Sequence, residues 1–124
     1  MSNRTLHLPL SGVAGRLIRQ LAALVDNGRG PVPMYPMLVV ESIASRPWSS
    51  ATFEGERHRF DLRLHGNAEA IGDALDRLVD RLPDAEFELP GQIVAEAKLM
   101  AVRVDPDPAV LAAALVVEFL TVID

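Results

Sequence analysis

The chain has 124 residues, 49% hydrophobic, 23% charged and only 5% aromatic, which suits one domain with a core built mainly from Leu, Val, Ile and Ala and excludes a disordered polymer. A formal charge of -5 excludes a generic nucleic-acid binder, which needs a net basic face to displace counterions from phosphates, but is compatible with a local basic stripe. The absence of cysteine excludes disulfides, thiolate metal sites and thiol nucleophiles.

The opening MSNRTLHLPLSGVAGR lacks a basic region followed by a long apolar one, so no signal peptide is expected. Ala109 to Ile123 is the most apolar stretch, but Glu118 interrupts it and it is shorter than the roughly 20 residues a spanning helix needs. A cytoplasmic protein with no membrane contact is expected.

After a short strand or extended arm, Ser11 reads as an N-cap. Val13, Leu17, Leu21, Leu24 and Val25 then recur at helical spacing, and Asn27-Gly28 supplies a stop, which predicts a first helix over Gly12 to Asp26. The following GRGPVPMYP, with two glycines and three prolines in nine residues, reads as an irregular connection. Met37 to Ala44 is apolar on both faces at first, as in an inner strand covered from both sides. Pro47 then interrupts the ladder or places the stretch at an edge.

TFEGER, Thr52 to Arg57, centres on Gly55, whose freedom to take a positive φ suits a tight hairpin between antiparallel strands. In the strand that follows, His58, Phe60, Leu62 and Leu64 fall on one face and Arg57, Arg59, Asp61 and Arg63 on the other, because strand side chains alternate. Asn67 is the predicted N-cap of a second helix with Glu69 in its first turn. Ile71, Ala74, Leu75, Leu78, Val79 and Leu82 form its buried stripe, Asp73 and Arg77 an i,i+4 pair, and Pro83 its end.

Leu89-Pro90-Gly91 reads as a turn into a strand over Gln92 to Val104. There Ile93, Ala95, Ala97 and Leu99 alternate with Val94, Glu96, Lys98 and Met100, and the pattern changes after Met100, which predicts a bulge or a strand that bends from one environment to another. DPDP at 105–108 is a turn. In AVLAAALVVEFLTVID the alanines and Asp107-Pro108 favour a helix, but Val116, Val117, Phe119, Thr121, Val122 and Ile123 favour a strand, and a strand is predicted. The order predicts an α+β two-layer sandwich: a mainly antiparallel sheet of four to five strands with two helices on one face. The opposite face is left to meet water, a partner or a copy of itself.

The N-terminal helix, Pro36 followed by MLVV, Arg46-Pro47-Trp48-Ser49, Gly55, the strand His58 to Leu64, the alanine-rich second helix, Leu89-Pro90-Gly91 and a closing strand pair around an acidic turn resemble, in order and spacing, the tail terminator (tail completion) family of tailed bacteriophages and gene transfer agents. The resemblance covers most of the chain. It implies a structural protein without catalysis or cofactor. Such a protein forms a homo-oligomeric ring, commonly of six subunits, that caps the tail tube protein, joins the head-tail connector protein and lets DNA pass without binding it specifically. It would be cytoplasmic during assembly and then part of the particle.

Closed heterologous rings need two different patches per subunit. The stripe Arg57, Arg59, Asp61, Arg63, with the acidic Glu41, Glu54, Glu56 and Glu118, is the candidate interface; the plainer reading is the solvated face of an antiparallel sheet. Trp48, the one tryptophan, reads as a core or loop anchor, or as an interface hot spot. Met34 and Tyr35 lie among prolines in a loop that either docks on a neighbour or merely connects.

Catalysis has thin support. His58 and His65 fall on opposite faces of one strand, His7 is remote, and no spacing suggests a metal site. His58 on the apolar face reads as a hydrogen-bonded core histidine rather than a base. Glu86 and Glu88 share a loop, Ser49-Ser50 lacks a nucleophile-elbow setting, and the single lysine, Lys98, is in a strand rather than at a helix start. The competing non-enzymatic expectation is a small cytoplasmic adaptor or ligand-binding α+β domain whose open sheet face takes an apolar molecule or a peptide.

Overall fold

A computed structural model describes residues 12–26, 37–107 and 112–123. The elements follow as α1 (Gly12–Asp26), β1 (Met37–Ser49), β2 (Glu54–His65), α2 (Ala68–Arg81), a 3₁₀ turn at Leu82–Asp84, β3 (Gln92–Val104) and β4 (Ala112–Ile123). The strands form one antiparallel sheet in the order β1-β2-β4-β3, an α+β arrangement with four strands and two helices. Residues of the expected N-terminal strand or arm, the Ser11 cap, Asn27-Gly28, the proline-rich connection with Met34 and Tyr35, and Pro108 lie outside the described residues.

One side of the sheet carries the core. Leu17, Leu21 and Val25 of α1, Ile71, Ala74 and Leu78 of α2, and Leu82 are buried together with Phe60, Leu62 and Leu64 of β2 and Ala113, Leu115, Val117 and Phe119 of β4. The 3.6 periodicity of the helices and the period of two in the strands bring these residues to one seam. Phe119 is its centre: the Phe60 and Phe87 rings meet it edge-to-face, with centroids 5.6 and 5.1 Å away, the arrangement that the ring quadrupoles favour.

Polar contacts fix the helix layer. The Asn67 side chain accepts from Ala70 N at 2.7 Å, the N-cap expected from the sequence. Arg77 donates from Nε, at 3.0 Å, and from Nη2 to the Val25 carbonyl, rather than pairing with Asp73. α1 has no basic residue in its own last turn, so α2 supplies the cation that its C-terminal carbonyls favour. Gln20 of α1 donates to the Glu88 carbonyl at 3.0 Å and accepts from Glu88 N at 2.8 Å, pinning the connection into β3.

Several expectations are corrected. Met37 to Ala44, expected inside the sheet from its apolar faces, belongs to β1, an edge, the placement that Pro47 offered, and the strand runs through Pro47, whose missing donor costs no ladder bond when it faces outward. The hairpin turn is formed by residues 50–53, with Ser50 Oγ accepting from Phe53 N at 3.1 Å. Gly55 sits within β2 and does not take a positive φ. It is needed there because a Cβ would overlap the Thr121 carbonyl of β4. Val79 is 64% exposed rather than part of the buried stripe. β3 has the bulge expected at Met100, between Leu99 and Ala101, and another at Ala95, between Val94 and Glu96. The second bulge turns Val94 rather than Ile93 toward the core, leaving Ile93 exposed. β4 is a strand despite its alanines, since a central strand between two neighbours rewards β-branched packing over helix propensity.

Candidate functional site

The side of the sheet away from the helices is the candidate surface, and strand register lays it out in rows from β1 to β3. Val39, Arg63, Ala114 and Arg103 form the first row. Ser42, Asp61, Val116 and Ala101 follow, then Ala44, Arg59, Glu118 and Lys98. Arg46, Arg57, Leu120 and Glu96 come next, and Trp48, Gly55, Val122 and Ile93 last. Arg57, Arg59, Asp61 and Arg63 thus share the face that the alternation of the sequence gave them. No described segment crosses this face.

Its charges form a lattice. Arg63 Nε meets Glu41 at 2.9 Å, Ser42 Oγ donates to Asp61 at 2.6 Å, Arg59 reaches Asp61 at 3.4 Å, and Glu96 takes Arg57 at 3.7 Å and Lys98 at 3.5 Å. The Arg57–Glu96 pair spans the row in which Leu120 stands between them, and Leu120 is only 8% exposed; the aliphatic stems of long charged side chains shield such a residue while their heads stay in water. Exposed pairs of this kind contribute about 0–1 kcal/mol each to stability, so they order the surface more than they hold the fold.

The lattice is unfinished at one place. Arg46 stands directly opposite Arg57, a like-charge pairing that is unfavourable across strands. Neither Arg46 nor Glu118 has an ion-pair partner among the described residues. Ala44, Ser45, Arg46, Arg57, Arg59 and Glu118 line a recess of about 260 Å³. Trp48 is half-buried one row away, opposite Gly55. Arg57, Arg59, Asp61 and Arg63 were legible in the sequence through alternation. Arg46, Glu96 and Lys98 were not, because placing them beside that stripe requires the strand order.

His58 is not part of this surface. It lies on the helix side, 2% exposed, as a hydrogen-bonded core histidine. Thr121 Oγ1 donates to the Glu56 carbonyl at 3.4 Å and so accepts from His58 Nε2 at 3.1 Å, which leaves Nδ1 to accept from Ser45 Oγ at 2.7 Å. A neutral imidazole satisfies this network completely, and burial lowers its pKa below 6.5 against the opposing pull of the Glu56 carboxylate 3.7 Å away. With both ring nitrogens occupied, no nitrogen is left for a substrate. No group of three or more His, Asp or Glu side chains suited to a metal ion occurs among the described residues. A groove of about 490 Å³, lined by Leu78, Val79, Leu82, Pro83, Leu99 and Met100 among others, separates α2 from the edge strand β3 on the helix side.

The sequence matches the family model of tail completion protein gp17 over residues 11–124. No curated protein matches it in sequence. In three dimensions the chain is similar to one in the virion of a native gene transfer agent particle, with a TM-score of 0.57 and 18% identity, over 98% of this chain and 99% of that one. A family match that spans both helices and all four strands leads to one conclusion: the chain belongs to the tail completion protein gp17 family, a family of structural tail proteins.

Proposed function

We propose that this tail completion protein acts as a single domain that assembles into a ring, commonly of six copies, closing the tail tube and joining tail to head in a phage or gene transfer agent particle. The observation that carries the reading is the family match over residues 11–124. The similar chain in the gene transfer agent virion, alike over nearly its whole length, supports it.

The helix-free face supplies the contacts. Arg57, Arg59, Asp61 and Arg63 present an alternating pattern that fixes register and orientation between partners more than affinity, and Trp48 at its margin adds a large half-apolar anchor. Met34 and Tyr35 of the proline-rich segment complete the candidate interface. The tail tube protein and the head-tail connector protein are the neighbouring components, the role needs no catalysis or cofactor, and a subunit of net charge -5 lets DNA pass without adhering. Electron microscopy of particles from cells lacking the protein tests the role: over-long or headless tails are expected, and normal particles overturn it.

A further inference from the structure

The open sheet face and the helix layer carry opposite unmet charges. On the sheet face, the cations Arg46, Arg57, Arg59, Arg63, Lys98 and Arg103 outnumber the carboxylates of Glu41, Asp61, Glu96 and Glu118, although the whole chain is at -5. The excess is concentrated at the recess, where Arg46, Arg57 and Arg59 meet the single carboxylate of Glu118 and Arg46 faces Arg57. On the other side of the molecule, Glu69, Asp73, Asp76 and Asp80 of α2 are all exposed, and their spacing of four, three and four residues puts them on one stripe.

None of the ion pairs found among the described residues involves that stripe, and Arg77, the arginine within it in sequence, is turned to the Val25 carbonyl. The helix dipole favours Glu69 in the first turn but not Asp76 or Asp80 farther along. Exposed Val79 lies between these two carboxylates in sequence and flanks the stripe on the side of the groove toward β3, an apolar contact point at the margin of the acidic ridge.

From this complementarity we infer that the occupant of the sheet face is a second copy of the chain, which lays the acidic outer stripe of its α2 across the Arg46, Arg57 and Arg59 recess. The two patches lie on opposite layers of one subunit, so the contact is heterologous and propagates from copy to copy. A nucleic acid fits the face less well: four carboxylates are interleaved among its cations and oppose a phosphate backbone, whereas the unpaired Arg46, with Arg57 and Arg59 beside it, matches a short row of carboxylates. The inference rests on the reading of the chain as an assembly subunit and names the surfaces that subunit uses.

The absence of cysteine allows a direct test in the full chain. Ala44, in the recess, and Val79, at the margin of the stripe, are both exposed, and the double variant Ala44→Cys, Val79→Cys is oxidised both as concentrated protein and within purified particles. A disulfide ladder of dimers, trimers and higher species is expected from the double variant and from neither single variant. Adding Arg46→Glu and Arg59→Glu should abolish the ladder, and adding Asp76→Arg and Asp80→Arg to that chain should restore it. Three results overturn the inference: no ladder in either state, efficient dimers of Ala44→Cys alone, which would mean that two sheet faces meet, or duplex DNA retained at physiological salt and released by Arg46→Glu and Arg59→Glu. A ladder combined with normal particles in the deletion strain would keep the contact and reject the tail role; over-long tails without a ladder would do the reverse.

Discussion

Strand β2 carries two surfaces on one backbone. Toward the helices it presents His58, Phe60, Leu62 and Leu64, all buried; away from them it presents Arg57, Arg59, Asp61 and Arg63, exposed or half-buried in a lattice of ion pairs. The first set holds the fold together through apolar area and close packing. The second contributes little to stability and is free to encode a partner. Substitutions on the two sides should therefore separate stability from assembly, and four of them test how clean that separation is.

The largest effect is expected at Phe119, where two rings pack against a third. Phe119→Ala should lose about 3–5 kcal/mol in denaturant unfolding, the usual cost of a large core truncation. A smaller loss would mean that the helix side is loosely packed. Gly55→Ala should come next and is the sharpest challenge to the comparison, because it changes the helix-free side yet acts on the fold. Its Cβ would overlap the Thr121 carbonyl, so the paired strands must separate, at a cost of about 3 kcal/mol, read as a large drop in thermal midpoint.

His58 gives a pH-dependent term. Its folded pKa is lowered, chiefly by burial, from 6.5, so the unfolded chain binds the proton more readily. The stability from neutral His58 is fully present above 6.5 and is lost as pH falls from there through the lowered folded value. Unfolding between about pH 7 and 5 should be steeper for the native protein than for His58→Gln; identical slopes would show that the buried imidazole does not govern this range. The smallest stability effect is expected for Arg59→Ala, within about 0.5 kcal/mol, while its yield of assembled particles falls. A stable variant with undiminished assembly would remove Arg59 from the interface.

The legible parts of the sequence were those governed by local rules. α1 and α2 announced themselves by apolar spacing, Asn67 by its capping chemistry, and Leu89-Pro90-Gly91 by a glycine that does take a positive φ. β4 was legible because β-branched residues outweigh three alanines. The charged stripe on β2 was half legible: alternation gave its members but not its neighbours. Arg46, Glu96 and Lys98 join Arg57 and Arg59 only because β4 enters between β2 and β3, a pairing no local pattern specifies. The role of Gly55 was misread for the same reason, since the backbone it must admit belongs to a strand remote in the chain.

The sequence by itself determined the helices and strands, the apolar faces of α1, β2 and most of α2, and the family, because periodicity, capping and turn chemistry act between residues a few positions apart. Tertiary structure decided the strand order, the edge position of β1, the turning of Arg77 from Asp73 to the Val25 carbonyl, and the gathering of cations on one side and carboxylates on the other. These depend on which distant segments come within a few ångströms, and that follows from burying one shared core.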